Sequence, residues 1–375
     1  MFKLLEIENF KCFSGRTPIS LSQLTVCTGM NSVGKSTLIQ ALLLIKQSHE
    51  SLGEFKDRNV LLNTEALRLG STNQIMLTDK MILSVDGDFI EYSAGEDKLS
   101  LIIDKISSSG DLFDMLDEDI DTDIELDTMQ DIALYYLNAE RLGPRNYQEM
   151  KSHNFLHCGY HGEYTFDVVE KNPDTEVPKK RRYNLDSNQK VPHLIKQIDY
   201  WMSYIVNGVE VNFSSDVTSQ LSQMKVRQAA LDTPFNSPYN FGFGISYVLP
   251  IIVTGLMANA NSVIIVENPE AHLHPAGQSR IGEFLAQISC DDVQVVIETH
   301  SEHVINGIRR YALKNNLLPD DICINYFSIN KETHKHEVSR LLLNDRMDIL
   351  KWPDGFFDQE AKDLKELREL RGGKK

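Results

Sequence analysis

The sequence predicts an α/β fold, in which a mainly parallel core sheet is joined to an antiparallel N-terminal lobe and to an insertion of helices and loops. Residues 263–266 (VIIV) and 293–297 (VQVVI) are continuous or nearly continuous apolar runs, which are typical of buried parallel strands. Between them, apolar residues recur at helical spacing from Ile281 to Ile288. In residues 1–28, apolar and polar residues instead alternate, as they do in paired strands.

Each further element of this prediction follows from a local pattern. Residues 24–27 predict a buried strand, residues 60–104 predict several strands with glycine turns, and residues 322–329 predict another strand. A helix with one apolar face is predicted after the glycine loop that follows the first of these strands. A charged helix is predicted over residues 358–370, stopped by the glycines at 372–373.

The composition is that of an ordinary globular protein. Of 375 residues, 41% are hydrophobic and 25% charged, which excludes a wholly disordered chain. The 38 basic and 54 acidic side chains give a net charge of −16. That charge argues against broad, non-specific coating of DNA, but it does not exclude a local basic groove. The apolar runs are too short to span a bilayer, and the N-terminus does not resemble a signal peptide, so we expect a cytoplasmic protein.

The cysteines are odd in number and widely spaced, and no C-x-x-C occurs. This pattern indicates neither a disulfide framework nor a zinc ribbon. The five are Cys12, Cys27, Cys158, Cys290 and Cys323.

Two charged segments interrupt the less regular middle of the chain. Residues 111–131 contain 10 acidic side chains in 21 positions. This segment is interpreted either as a solvated acidic helix or loop, or as a docking surface for a basic partner. Residues 179–182 are a basic tetrad in a loop-like stretch. The tetrad is interpreted either as solvated surface or as a contact to a phosphate backbone.

Residues 29–36 match the pattern G-x-x-x-x-G-K-[ST], after a predicted strand and before a predicted helix. The glycines let backbone N–H groups surround phosphates, Lys35 adds a positive charge, and Ser36 offers a hydroxyl to Mg²⁺. The following helix N-terminus favours an anion. We therefore predict that phosphates are bound by Gly29, Asn31, Ser32, Gly34, Lys35, Ser36 and Thr37.

Two later strands end in polar residues. Glu267, directly after the run at 263–266, stands where a phosphate-loop enzyme holds the water shell of Mg²⁺, the Walker B position. His300, after the run at 293–297, is predicted as a sensor of the γ-phosphate; the alternative is a histidine beside a helix cap. The His272-x-His274 pair is too weak a pattern for a metal site, and a structural or inter-subunit role is preferred.

Together these motifs resemble the ABC-class ATPases of the RecF/SMC/OLD branch. More narrowly, the chain is similar to the small stand-alone ATPases of bacterial antiphage defence loci, of the Septu type. Four more segments carry the resemblance: residues 7–11, 140–145, 242–246 and 352–358. It implies one ABC-type head with a phosphate-loop NTPase fold over residues 1–375. Within it we expect an N-terminal lobe at 1–105, an insertion at 106–235 and a C-terminal lobe at 236–375.

The resemblance also implies Mg²⁺-dependent ATP hydrolysis in a head-to-tail homodimer or higher homo-oligomer. Residues 242–246 are then a signature segment that opens a helix, with Gly244 and Ser246 facing the partner's nucleotide. Gln74 is expected to sense Mg²⁺ and water, unless it is simply an exposed loop residue. Arg141 and Arg145 either reach phosphates or the partner subunit, or form surface ion pairs.

Two departures from the family pattern limit these expectations. Asn268 stands where many relatives carry the carboxylate that accepts a proton from water, and an amide cannot accept one. Either Glu270 substitutes, or hydrolysis is slow and ATP acts mainly as a binding switch. No acidic metal triad of a nuclease domain follows His300. A nuclease effector is therefore expected as a separate partner; the alternatives are a RecF-like repair ATPase and an ATP-binding scaffold.

Overall fold

The computed structural model describes residues 1–55, 57–108, 111–114, 132–151, 156–183, 191–231, 233–353 and 358–372. In chain order the strands are β1 (Leu4–Glu8), β2 (Thr17–Ser20), β3 (Leu24–Gly29), β4 (Asn59–Leu61), β5 (Met81–Val85), β6 (Asp88–Ala94), β7 (Ser100–Ser108), β8 (Asp111–Asp114), β9 (Leu134–Leu137), β10 (Tyr147–Glu149), β11 (Val209–Asp216), β12 (Leu221–Gln228), β13 (Ser262–Glu267), β14 (Val293–Glu298), β15 (Ile322–Ile329) and β16 (His336–Leu341). The helices are α1 (Lys35–Phe55), α2 (Thr72–Ile75), α3 (Thr165–Lys171), α4 (Leu194–Ile205), α5 (Phe243–Met257), α6 (Pro275–Ser289), α7 (Glu302–Lys314) and α8 (Gln359–Gly372).

The core sheet has the order β16-β15-β3-β14-β13-β9. All its pairings are parallel except that of β16, which lies antiparallel at one edge. Every residue of β14 is buried, as the apolar run in the sequence predicts. Because β14 is inserted between β3 and β13, the strand before the phosphate loop does not pair with the strand that ends in Glu267. The predicted α/β fold with a mainly parallel core is confirmed.

Alternate side chains of the core strands enter two hydrophobic cores, because successive residues of a strand face opposite sides of a sheet. On β13, Ile264 and Val266 join the core formed with α4, α5, α6 and α7. Val263 and Ile265 join the core beneath α1 and the N-terminal strands. Each fully buried aliphatic side chain stabilises the fold by about 1.5–3 kcal/mol. The two cores therefore hold the strands, and the residues at their ends, in fixed positions.

The N-terminal lobe is an antiparallel sheet of order β2-β1-β5-β6-β7-β4, with β8 paired to β7. On β1, Leu5 and Ile7 are buried and their neighbours are not, which is the alternation that the sequence shows. Residues 111–114 form β8, so the start of the acidic segment is a strand and not the expected helix or loop. Residues 115–131 lie outside the described part of the chain.

The insertion contributes a small antiparallel sheet of order β10-β12-β11, against which α3 and α4 lie. Within the basic tetrad at 179–182, Lys179 and Lys180 are exposed, as expected for solvated surface, whereas Arg181 is buried; a contact to a phosphate backbone stays a prediction. Arg181 is 1% exposed, and its Nε donates to Asp291 Oδ2 at 2.7 Å. Its Nη1 donates to the carbonyls of Gly255 and Ala258, and its Nη2 donates to the carbonyl of Asp291. This guanidinium therefore joins the insertion to the C-terminal lobe, which a sequence pattern of exposed cations does not reveal.

In the described ranges, no helix is long and apolar enough to cross a bilayer. The C-terminal helix α8 is charged, as predicted, and its residues 362–371 are exposed. Of the segment 352–358 that contributes to the resemblance, residues 354–357 lie outside the described ranges.

Candidate nucleotide-binding site

The phosphate loop connects β3 to α1 and requires backbone conformations that favour glycine. Gly29 has φ 138° and Gly34 has φ 105°. A Cβ on Gly29 would lie 2.3 Å from the Phe327 carbonyl oxygen, and one on Gly34 would lie 2.8 Å from Cys12 Sγ. Ser32 also adopts a left-handed conformation, at φ 61°. The chain is therefore held in a tight curl at the N-terminus of α1, where backbone N–H groups and the helix dipole favour an anion.

The loop's side chains divide into buried and exposed ones. Lys35 is 3% exposed, and its Nζ donates to the Met30 carbonyl at 2.6 Å and to the Gly29 carbonyl at 3.3 Å. Burial lowers the pKa of Lys35, and the nearby Glu298 opposes that change. Asn31 is exposed, whereas Thr37 is buried beside Cys12. The lysine thus lies across the loop with its charge inside the curl.

Two carboxylates end the neighbouring strands β13 and β14. Glu267 and Glu298 are opposite each other in the parallel register, and Glu298 is in turn opposite Cys27 of β3. Ser36 Oγ donates to Glu298 Oε1 at 3.1 Å. Glu267 Oε1 accepts a hydrogen bond from the Tyr136 hydroxyl at 2.8 Å. The sheet therefore brings two acids to the N-terminus of α1.

Glu298 is a site residue that the sequence-based assignment omits. It is 6% exposed, and Oε2 is buried without a hydrogen-bond partner among the described residues. Burial, and then repulsion from Glu267, raise the pKa of Glu298 to about 7. The signal was available, because residues 293–298 repeat the arrangement of 262–267, an apolar strand that ends in Glu.

The turn after β13 is held by Arg141, which is buried and bonded to backbone carbonyls and is not in a surface ion pair. Arg141 is 2% exposed, and its nitrogens donate to the carbonyls of Glu267 at 2.6 Å, Asn268 at 2.7 Å and Asn138 at 2.8 Å. Burial lowers the pKa of Arg141 to about 10. Its guanidinium carbon lies 5.3 Å from the centre of the Tyr247 ring, on α5. The surface ion pair expected for Arg141 is therefore wrong, whereas its contact with a phosphate or with the partner subunit stays a prediction.

Asn268 adopts φ 44°, a left-handed conformation that asparagine tolerates better than most residues. Its backbone N–H donates to the Glu298 carbonyl at 2.8 Å, and its side-chain Oδ1 is buried without a partner among the described residues. Asn268 therefore joins the ends of β13 and β14. Its side-chain amide cannot remove a proton from water.

Glu270 is bound to the turn that carries His300. Its Oε2 accepts from Thr299 Oγ1 at 2.7 Å, and its Oε1 accepts from the His300 backbone N–H at 2.8 Å. The His300 side chain is in contact with solvent, but partial desolvation by the groups around its ring, together with the positive charge of Lys35, lowers its pKa. The structure thus gives Glu270 a contact that the sequence did not predict. Its role as a base, and the role of His300 as a sensor, stay predictions.

The signature segment opens α5, as expected. Gly242 is the N-cap residue, and it offers no side chain to cap the helix. A Cβ on Gly244 would lie 2.8 Å from the His272 carbonyl oxygen, so this glycine permits close packing of α5 on the turn after β13. The Ser246 hydroxyl is buried and lacks a partner among the described residues. Phe243 is 52% exposed beside it.

None of the contacts that the structure shows for Gln74 joins it to another candidate site residue. Its Oε1 accepts from the Ser71 backbone N–H at 2.9 Å, as part of a capping box around the one-turn helix α2. A Cβ on Gly70 would overlap this carboxamide, which shows how closely the turn packs. The magnesium-sensing role of Gln74 stays a prediction.

The two histidines after β13 have structural contacts. The His272 ring lies 4.6 Å from the Tyr247 ring, edge to face, and 5.3 Å from the Phe243 ring. His274 Nδ1 accepts from the Ala276 N–H at 3.3 Å and caps α6. Within the described ranges, no group of three or more His, Cys, Asp or Glu is arranged to hold a metal ion.

The residues next to the phosphate loop nevertheless fit a nucleotide-bound magnesium ion. Hydroxyl and carboxylate oxygens are the ligands that Mg²⁺ prefers, and in nucleotide sites one or two carboxylates suffice because the phosphates complete the shell. Ser36 and the strand-end carboxylates supply such oxygens, and Glu298 Oε2 is buried with no partner in the described structure.

Fold and site together define a phosphate-loop domain of the ABC-head type, in which a mainly parallel core sheet is joined to an antiparallel lobe. The chain belongs to the AAA ATPase domain family, whose model matches residues 1–204 and 184–305. Residues 317–367 match a second family model, that of a protein of unknown function (DUF3696).

Solved structures of SMC heads share the fold. The SMC head bound to the C-winged helix domain of ScpA is 12% identical, with 92% of this chain and 99% of that chain covered and a TM-score of 0.56. The Smc head domain with an extended coiled coil from Pyrococcus furiosus, bound to the C-terminal domain of ScpA, is 12% identical. It covers 98% of this chain and 99% of its own, with a TM-score of 0.52. No curated protein matches the chain.

Proposed function

We propose that this chain binds ATP with Mg²⁺ and hydrolyses it in a site that a second copy completes. The observation that carries the proposal is the convergence, at the carboxyl ends of β3, β14 and β13, of the phosphate loop, Glu298, Glu267 and the turn at His300. Ligands of open α/β sheets bind at this edge. Membership of the AAA ATPase domain family supports the same activity.

Each group has a physical role in this proposal. The backbone of residues 29–36 and the start of α1 receive the β- and γ-phosphates, and Lys35 leaves the Met30 carbonyl to pair with them. Ser36 and the strand-end carboxylates hold Mg²⁺, which neutralises charge that develops on the phosphates. His300 donates to the γ-phosphate, and Glu270 keeps the turn at Thr299 and His300 in place.

The second copy approaches through the signature segment. The N-terminus of α5 has no side-chain cap, the Ser246 hydroxyl lacks a partner among the described residues, and Phe243 is exposed beside them. A helix N-terminus of this kind favours an anion, here the γ-phosphate held by the other copy. Head-to-tail pairing would then depend on ATP.

Slow turnover is the expected kinetic behaviour. Asn268 occupies the position of the usual base, and Glu270 is engaged by Thr299 and His300. The lack of a well-placed base typically costs about 10²–10⁴ in rate. The same observation favours a second candidate, an ATP-stabilised scaffold with almost no turnover.

We further propose, from the sequence resemblance, that ATP-driven pairing controls a separate effector protein in the cytoplasm, namely a nuclease in an antiphage defence complex. The alternative is a RecF-like ATPase of DNA repair. The net charge of −16 supports nucleic-acid contact mainly through the complex rather than by this chain alone. Co-purification with the products of neighbouring genes distinguishes the two settings.

Single-turnover hydrolysis of ATP, measured together with light scattering, tests the biochemical core of the proposal. We expect ATP binding, larger particles with ATP and Mg²⁺ than without, and slow release of phosphate. Pairing without phosphate release would support the scaffold instead. No binding of ATP would refute both.

A further inference from the structure

A histidine of the C-terminal hairpin formed by β15 and β16 contacts the phosphate loop. His336 is the first residue of β16 and is paired with Ile329, the last residue of β15. Its Nδ1 lies 3.1 Å from the carbonyl oxygen of Val33. The loop is therefore bonded to a residue 303 positions later in the chain.

The acceptor decides which nitrogen of the His336 ring carries a proton. A carbonyl oxygen can only accept a hydrogen bond, so Nδ1 is the donor and must be protonated. The neutral ring with its proton on Nδ1 and the charged ring both meet this requirement. The hydrogen bond to Val33 therefore forms in either charge state of His336.

The same hydrogen bond sets the direction of the next backbone N–H group. Because the peptide bond is planar and trans, the carbonyl of Val33 and the N–H of Gly34 belong to one rigid unit and point in opposite directions. With the carbonyl turned toward His336, the Gly34 N–H is directed away from the C-terminal hairpin. It is one of the backbone N–H groups that a loop of this pattern offers to phosphates.

This peptide unit is one that could otherwise turn over. A flip of the peptide between Val33 and Gly34 changes the φ of Gly34, which is 105° here, and glycine populates positive and negative φ about equally. Phe13 packs against the glycine, because a Cβ on Gly34 would lie 3.0 Å from Phe13 Cζ. The centres of the Phe13 and His336 rings are 6.3 Å apart, at an angle of 73°. Phe13 thus limits the position of the glycine, and His336 limits the orientation of its peptide.

We propose that His336 is a positioning residue of the phosphate loop, which holds the peptide between Val33 and Gly34 with its N–H directed at the bound phosphates. The inference rests on the proposed ATP binding and deepens it. His336 lies within residues 317–367, the segment that matches the second family model. That segment then supports phosphate binding although the loop itself is at the other end of the chain.

The test separates the donor of His336 from its ring. His336→Phe keeps an aromatic ring beside Phe13 without a donor, whereas His336→Asn keeps an N–H donor on the atom that corresponds to Nδ1 but has no ring. The probe is the β,γ-imido analogue of ATP with Mg²⁺, in an equilibrium binding measurement. We expect His336→Phe to weaken binding by about 3–10-fold, the scale of one hydrogen bond, and His336→Asn to bind within about twofold of the wild type.

A matched control is available in the same hairpin. His334 is exposed, and His334→Phe should leave the affinity within about twofold of the wild type. Thermal unfolding without ligand shows whether each variant is folded. If the phenylalanine ring prevents folding, His336→Leu, which is smaller and also has no donor, takes its place with the same expected loss.

Inorganic triphosphate, used as a competitor of the labelled analogue, shows where the effect arises. It occupies a phosphate loop but has no nucleoside, so His336→Phe should weaken its binding by the same factor as that of the nucleotide. A loss confined to the nucleotide would mean that His336 contacts the base or ribose, and would overturn the inference.

The inference is also overturned if a folded His336→Phe protein binds both probes as the wild type does, with only its melting temperature lowered. Loss of affinity in His336→Asn equal to that in His336→Phe would contradict it as well, because the ring and not the donor would then matter. Failure of the proposed function has a different result, in which the wild type itself binds neither the analogue nor triphosphate.

Discussion

Replacing Arg141 by Met removes three hydrogen bonds from a buried part of the candidate site. The guanidinium donates to the carbonyls of Glu267, Asn268 and Asn138, and methionine fills a similar volume without any donor. A hydrogen bond to a charged group contributes about 1.5–3 kcal/mol, so three of them amount to about 4.5–9 kcal/mol. The cost of burying the charge, which the lowered pKa of Arg141 reflects, offsets part of this sum.

We therefore expect a net loss of about 3–5 kcal/mol, the range for removing one partner of a buried charged interaction. The entropy of unfolding is about 2.1 cal/mol/K per residue, or about 0.8 kcal/mol/K for a chain of 375 residues. The melting temperature should then fall by about 4–6 °C, as measured by differential scanning calorimetry. ATP binding at the phosphate loop should persist, whereas phosphate release should slow because the turn at Asn268 is no longer fixed.

Arg145→Met is the matched control, because Arg145 is in the same segment and is exposed. It should change the melting temperature by less than about 1 °C, as surface substitutions usually do. A melting temperature of Arg141→Met within about 1 °C of the wild type would refute the view that this guanidinium supports the turn.

Three further predictions concern the site itself. Lys35→Ala should weaken ATP binding by at least about 10–100-fold, the loss of one or more charge-assisted hydrogen bonds, in an equilibrium measurement with labelled ATP; unchanged affinity would contradict the phosphate-loop assignment. Ser246→Arg should abolish the growth in particle size on addition of ATP, because a bulky cation enters the paired site, and an unaltered light-scattering response would remove residues 242–246 from the interface. Glu270→Gln should slow single-turnover hydrolysis further, by up to about 10²-fold with ATP binding retained, because it removes the remaining candidate base and weakens the hold on the turn at Thr299 and His300; near-normal hydrolysis by a folded variant would limit Glu270 to a structural role.

The elements around the site could be predicted because their signals are local. The glycine pattern at 29–36, the apolar strands at 263–266 and 293–297, and the helical spacing from Ile281 to Ile288 are each contained in a short stretch of sequence. The C-terminal strands and helices follow from the same short-range patterns. The fold was therefore accessible from the sequence at the level of its core sheet.

The residues that were misassigned depend on contacts between distant segments. Arg141 and Arg181 are basic residues in a loop-like context, and only the folded chain shows that each is buried against backbone carbonyls. The position of Glu298 beside Ser36 follows from the insertion of β14 between β3 and β13, which no local pattern reveals. The role of Gln74 stays a prediction, and its observed contact does have a local signal, because the spacing Ser71-x-x-Gln74 is the signature of a capping box.

The aromatic rings beside Arg141 connect the signature segment at the start of α5 to the turn after β13. Tyr247 lies against Arg141 on one side and against His272 on the other, and His272 in turn contacts the exposed Phe243. A tilt of α5 on contact with a second copy would therefore move the guanidinium that holds the carbonyls of Glu267 and Asn268. In a head-to-tail pair, the position of the turn after β13 in each subunit would then depend on whether that subunit's signature segment is in contact with the other subunit's ATP. Such a pair would behave as a coincidence detector, in which neither site is fully assembled until both are occupied.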